Sequence, residues 1–282
     1  MLFYFIVQKV YNIKNVKTEV GHDMKKQINK WINTFITEYR NRPEVTTDWG
    51  DPIVGFAAAD SPYIQKLPEL ISSTHGLPQQ VMADARLVIA YYVPFTRALA
   101  VSNNTGTEYA SEQWALAYEQ TNEMFGRLNS YIIDRLTECG YKGAVHPAAG
   151  TFDHRNLISD WSFRHFAYAA GLGTFGLNNM LITPKGCCGR YNTIITNLDA
   201  EPDRPMQQEL CLYKRNKSCG ICMRNCPAKA ITESDYDRHK CYEVLSRNAK
   251  LYKTASCSYE GSSGSEVCGK CVTGSPCAFW NM

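Results

Sequence analysis

The sequence predicts an α/β layer that gives way near residue 205 to a small domain organised by cysteines. Two observations carry this. Up to about residue 205, segments with apolar residues at helical spacing alternate with short runs rich in β-branched and aromatic side chains. Beyond it, cysteines replace aliphatics as the recurring residues. A chain of 282 residues with 44% hydrophobic content can bury a core unaided, so its 12 cysteines are not needed as disulfide staples.

The elements follow in order. Leu2–Val7 is apolar but too short for a secretory segment, and it lacks a basic flank or twin arginine. No run approaches the ~20 apolar residues of a membrane span. The expected compartment is therefore the cytoplasm, where thiols stay reduced. Residues 1–23 read as an N-terminal extension, after which Met24 opens an amphipathic helix over 24–40 whose stripe is Ile28, Trp31, Ile32, Phe35 and Ile36. Pro43 lies past its end. Leu87–Val93, closed by Pro94, reads as a buried strand on which Tyr91 and Tyr92 face opposite sides. A long helix is expected over 108–137, with Trp114, Tyr118, Phe125, Leu128, Ile132 and Leu136 in one stripe and Gly140 just beyond. A further helix over 161–170 enters the glycine-rich run Gly171–Gly176, and Tyr191–Thr196 reads as a strand. Gly261–Ser265 has the composition of a flexible surface loop.

The chemistry sits in the cysteines. Cys219, Cys222, Cys226 and Pro227 form a C-x2-C-x3-C-P run like the latter part of the bacterial ferredoxin motif, and Cys211, Cys241, Cys268, Cys271 and Cys277 surround it. Soft thiolates in pairs on short loops place two sulfurs on one side of an iron centre. Structural zinc is the competing reading of paired C-x2-C units. The third cysteine and its trailing proline are expected of a ferredoxin loop and unneeded in a zinc ribbon. Adjacent Cys187 and Cys188 cannot easily bind one iron together; a redox or ligand role and two small buried hydrophobes are the open readings. The formal charge of +3, without a Lys/Arg block, demands no nucleic acid.

The glycine run does not match a dinucleotide fingerprint, because a helix precedes it and it leads on to the apolar Leu181-Ile182-Thr183 rather than opening a helix. Trp161–His165, Ala169–Gly176 and Leu181–Gly186, followed by the cysteine pattern, resemble instead the epoxyqueuosine reductase and reductive dehalogenase superfamily. Trp49-Gly50, Gly55–Ala57 and His75–Pro78 resemble its N-terminal half. The resemblance implies an α+β chain: a nitroreductase-like α/β domain over 24–205 that binds cobalamin, then a ferredoxin-like domain over 206–282 with two 4Fe–4S clusters. It implies one cluster on Cys211, Cys219, Cys222 and Cys277 and another on Cys226, Cys241, Cys268 and Cys271. Cys211 stands in for a ligand the family places at Asn216, and Cys257 competes for the place of Cys211 or Cys277.

Within the α/β domain, the resemblance makes Gly171, Gly173 and Gly176 candidates to line the cofactor pocket between the two halves. Arg164 and His165 are candidate cofactor contacts, His165 as a cobalt ligand or proton donor. The family's acid position falls on Leu157, leaving Asp153 and Asp160 as candidate acids; a turn aspartate and a helix N-cap are their structural alternatives. The chain continues five residues past Cys277, where the tRNA-modifying members carry a helical extension, so tRNA is not an expected partner. Two functions stay open. One is an oxidoreductase passing electrons from two clusters to cobalamin, or to FMN, for reduction of a small-molecule substrate. The other is an electron carrier or activator serving a corrinoid or flavin protein. Either needs a low-potential donor such as ferredoxin or flavodoxin.

Overall fold

The strand Leu87–Pro94 is the organising element, and it is buried along its whole length. It pairs antiparallel with Ile53–Ala58 on one side and with Gly189–Thr196 on the other, and Gly143–Ala144 extends the sheet beyond Gly189–Thr196. The register sets Tyr92 opposite both Ile53 and Tyr191. The computed structural model describes residues 2–104, 106–147, 152–252 and 264–279, with side chains from residue 21 onward. Cys257 and residues 261–263 lie outside the described residues.

Both faces of the sheet are covered, which is why its central strand is an unbroken apolar run rather than an alternating one. Phe56, Leu87, Ile89, Tyr91, Val93 and Ile194 pack beneath the helices Leu2–Tyr39 and Glu112–Glu138. Ala57, Val88, Ala90, Tyr92, Tyr191 and Ile195 pack against Trp161 and the helix Phe163–Ala169. The two tyrosines part as the pleat requires: Tyr91 donates its hydroxyl to Asn129 Oδ1 at 2.7 Å, while Tyr92 packs on Tyr191 with ring centroids 4.6 Å apart.

The first helix runs unbroken over Leu2–Tyr39, so Met24 opens no separate element. Gly21 is already in the fold, since a Cβ there would stand 2.8 Å from the Asp199 carbonyl oxygen. Lys25 ties the same helix to Asp203 at 2.6 Å, and Asp203 in turn accepts the Phe56 amide at 2.9 Å. The long helix begins at Glu112 behind the Ser111 cap, whose hydroxyl accepts the Trp114 amide at 3.1 Å. After residue 205 the chain is short helices: Leu212–Asn216, Ile221–Asn225, Arg238–Leu251 and Lys270–Thr273. Cys211, Tyr213, Val267 and Val272 join the cluster under the long helix, while Cys222, Cys226, Ala230 and Ile231 form a small cluster of their own. Ser265, expected on a surface loop, is buried and donates to Glu119 Oε1 at 2.7 Å. No helix among the described residues is long and apolar enough to cross a membrane.

Candidate functional site

Two loops of the same design present cysteines. In Cys219-Gly220-Ile221-Cys222 and Cys268-Gly269-Lys270-Cys271 a glycine with positive φ, +126° and +72°, caps the start of a short helix. The left-handed residue turns the chain so that the sulfurs before and after it face one side. Cys226 ends the first of these helices, and Pro227 carries the chain away from it.

The packing sorts the cysteines into two groups. Cys211, Cys219, Cys222 and Cys277 line a small cavity of about 20 Å3 with Gly176 and Pro276. Cys226, Cys241, Cys268 and Cys271 line a larger one of about 240 Å3, with Cys187 and Arg190 on its wall. The helix Ile221–Asn225 serves both, Cys222 toward the first and Cys226 toward the second. Among the described residues no three His, Cys, Asp or Glu close on a single-ion site.

Several thiols in these groups are pushed up, while the contact with Cys187 brings Cys277 down to about 7. Burial, then Cys277, Cys211 and Cys219 beside it, push the Cys222 thiol up to about 11. Burial and its neighbours Cys241 and Cys226 take Cys268 to about 11, and burial with Cys268, Cys241 and Cys226 beside it sets Cys271 well above the usual thiol range. Four buried thiolates need a cationic core among them, and soft sulfur donors select iron–sulfur clusters or zinc rather than hard ions. Each group supplies four cysteines, the donor set that a 4Fe–4S cluster takes.

Beside the larger cavity lies a cleft of about 510 Å3 between the sheet half and the helix Arg238–Leu251. Trp161, Phe163 and Tyr191 form its wall on one side, and Tyr236, Cys241 and Tyr242 close the other. Cys241 thus borders both the larger cysteine group and the cleft. The motif tryptophans are anchored from outside it: Trp49 donates to Thr121 Oγ1 and Trp161 to Thr193 Oγ1, each at 2.9 Å.

Arg164 and His165 both line this cleft. Arg164 donates to the Asn179 carbonyl, and burial holds its guanidinium below the usual range while Tyr236, Tyr191 and Cys271 favour its charge. His165 Nδ1 is 2.7 Å from Ser162 Oγ; burial, the adjacent Arg164 and His75 bring its pKa to about 4, so it is neutral near pH 7.

The other candidates stand elsewhere. Asp153 is an exposed turn residue accepting the Arg155 amide at 2.8 Å and the Asn156 side chain at 2.6 Å, an arrangement that lowers its pKa. Asp160 does not cap the helix; the cap is Ser162, and Asp160 accepts the Thr74 hydroxyl away from the cleft. Leu157 does line it, at φ 54°, so an apolar side chain occupies the position the resemblance reserves for an acid. The glycines do not face the cleft. A Cβ on Gly173 would lie 1.9 Å from the Ile182 carbonyl oxygen, and one on Gly171 2.4 Å from that of Arg204. Gly176 borders the smaller cysteine cavity instead. Their density reflects one chain segment crossing another in backbone contact.

Arg190, Tyr236, Arg238 and Tyr242 complete the cleft and were not singled out from the sequence. Arg190 follows the Cys187-Cys188 pair at the start of its strand, and its guanidinium lies 4.1 Å from the Tyr118 ring. The other three flank Cys241 in sequence, the one local signal that marked them.

No family model matches the chain. A tetrachloroethene reductive dehalogenase from Sulfurospirillum multivorans is 39% identical over 72 residues, which is 24% of this chain and 13% of that protein. Three crystal structures of epoxyqueuosine reductase superpose over 91% of this chain. A selenomethionine form gives a TM-score of 0.57 at 17% identity, and a complex with an epoxyqueuosine-modified tRNA stem loop gives 0.54 at 18%. The enzyme from Bacillus subtilis gives 0.52 at 17%. This chain spans just under two thirds of their length, 65 to 66%. The resemblance carried by the Trp161–Gly176 segment and the cysteines holds at the level of the fold, which is that of the epoxyqueuosine reductases.

Proposed function

We propose that the chain is a cytoplasmic iron–sulfur reductase. Cys211, Cys219, Cys222 and Cys277 hold one 4Fe–4S cluster, Cys226, Cys241, Cys268 and Cys271 a second, and electrons pass from them to a cofactor in the cleft. Cobalamin is the occupant favoured by the resemblance, and FMN is the alternative. The observation that carries this reading is the division of eight cysteines between two cavities, with Cys241 on the wall shared by the larger cavity and the cleft.

Bound clusters supply single-electron transfer, and a bound cobalamin supplies a reducible metal centre. The chain's own residues do the rest. Arg164, close to Cys241 and Cys271, offsets the negative charge of thiolate ligands on the cleft side. Trp161, Phe163 and Tyr191 give the cleft an apolar wall against which a flat cofactor would pack. Ser162 occupies Nδ1 of His165, leaving Nε2 as the nitrogen for a proton or a metal.

A second reading has its own observation: among the described residues no carboxylate lines the cleft. A chain without an acid at that place suits reduction of a corrinoid or flavin partner, where no substrate is protonated. In both readings a ferredoxin or flavodoxin is the electron source. Anaerobic reconstitution is expected to give about eight iron and eight sulfide per chain; about half that, or stoichiometric zinc, refutes the two-cluster assignment. Titration of the reduced chain with cobalamin, followed by absorption, separates the two readings. A saturable spectral change supports the cofactor in the cleft, and no change favours the carrier.

A further inference from the structure

Cys187 belongs to neither set of four, yet it lies between them. Its Sγ is 3.8 Å from Cys277 Sγ, while its side chain lines the cavity of the other set. That separation is within reach of an S–H···S contact and far beyond the ~2.05 Å of a disulfide bond. The placement is enforced by backbone. Gly186, at φ +90°, has no room for a side chain, since a Cβ would lie 2.0 Å from the Ala278 carbonyl oxygen. The Cys187 amide donates to the Cys277 carbonyl at 2.8 Å, and the Cys188 amide to that of Ala278 at 3.3 Å. Residues 186–188 and 277–278 are thereby laced together, and the thiol is aimed by that pairing rather than by chance rotation. Ser275 Oγ also lies 3.3 Å from the Cys277 sulfur.

Resting on the two-cluster reading, we propose that Cys187 is a positioning thiol that donates its S–H to the Cys277 ligand sulfur and raises the reduction potential of that cluster. A hydrogen bond to a ligand sulfur draws electron density from the thiolate, and this favours the reduced, more negative cluster over the oxidised one. Ser275 donates its hydroxyl to the Val272 carbonyl at 3.0 Å, which leaves Cys187 as the side-chain donor argued for this sulfur. The pair Cys187-Cys188 then divides its roles: Cys187 touches a ligand, while Cys188, fully buried, has no sulfur within hydrogen-bonding reach among the described residues.

The test compares Cys187→Ala, Cys187→Ser, Cys188→Ala and Cys277→Ala with the wild-type full chain after anaerobic reconstitution, by iron analysis and EPR-monitored redox titration. Cys187→Ala is expected to keep wild-type iron and to move one midpoint potential to a more negative value, leaving the other in place. Cys187→Ser, still a donor, moves it less. Cys188→Ala moves neither, which separates hydrogen bonding from burial. Cys277→Ala loses about half the iron. Loss of half the iron in Cys187→Ala makes Cys187 itself a ligand and overturns the proposal; unchanged potentials with full iron reduce the contact to packing and overturn it equally. A wild-type chain that takes up no iron refutes the cluster reading, and the proposal falls with it.

Discussion

Gly173 shows how a residue's chemistry is set by what it touches. The resemblance makes Gly173 a candidate to line the cofactor pocket; the structure sets it instead against the Ile182 carbonyl. Gly173→Ala is therefore expected to lower stability by about 3 kcal/mol, an overpacking cost, with a fall in melting temperature as the readout. Binding in the cleft should be lost only in proportion to unfolded protein. His165 supplies a second test. Its folded pKa of about 4 lies below the ordinary 6.5, so the unfolded chain binds the proton more readily. The stability this burial preserves is complete above about pH 6.5 and is lost as pH falls toward 4, by up to about 3 kcal/mol. Denaturant melts of His165→Asn across that window should fall less steeply than wild type. His75 and His146, also lowered mainly by burial, keep the remaining slope in both proteins. An identical slope in variant and wild type would place His165 in contact with water.

Among the elements, the two Cys-Gly-x-Cys loops were legible because their information is local: a cysteine pair two residues apart with a glycine to turn between them. What packs on each glycine was not legible. A Cβ on Gly269 would stand 2.4 Å from the Trp114 ring, from the helix Glu112–Glu138, whereas one on Gly220 would meet the flexible Met223 Cε at 2.9 Å. Both substitutions strain a positive φ, at about 1–3 kcal/mol. Only Gly269→Ala adds a ring clash. Trimming Trp114 to Leu should thus recover part of the iron lost in Gly269→Ala, while Met223→Ala recovers little of any loss in Gly220→Ala. Iron per chain after reconstitution checks both pairs, and equal rescue in the two would remove Trp114 from the argument. The first helix failed to be legible in the opposite way. Its stripe from Ile28 to Ile36 was visible, but nothing in residues 2–23 breaks the helix, and the apparent start at Met24 was only where the stripe becomes regular.

At the scale of the molecule, the strand Leu87–Pro94 was accessible from sequence because burial on both faces writes itself into residue types, whereas the division of the cysteines into two sets came from the resemblance. The cleft was accessible only as a place between two halves. Its walls come from residues near 71, 152, 157–165, 179–180, 189–191 and 236–245, and no period or spacing links those segments. Charge at this scale yields the last prediction. The chain has 30 basic and 27 acidic residues. Several of the basic ones already face acids: Arg86 and Asp199 at 3.2 Å, Lys142 and Asp84 at 2.8 Å, and Arg247 and Glu108 at 3.4 Å. The guanidiniums of Arg164 and Arg190 are recessed against the cleft rather than arrayed on a stripe. Affinity for a polyanion grows with the number of phosphates neutralised and falls with salt in the same measure. The full chain should therefore bind unmodified tRNA no more tightly than about 10⁻⁶ M at physiological salt, with a shallow dependence of affinity on salt. Filter binding or anisotropy across a salt series checks this. Nanomolar affinity with a steep slope would require a continuous basic surface, and would move the preferred substrate from a small molecule to tRNA.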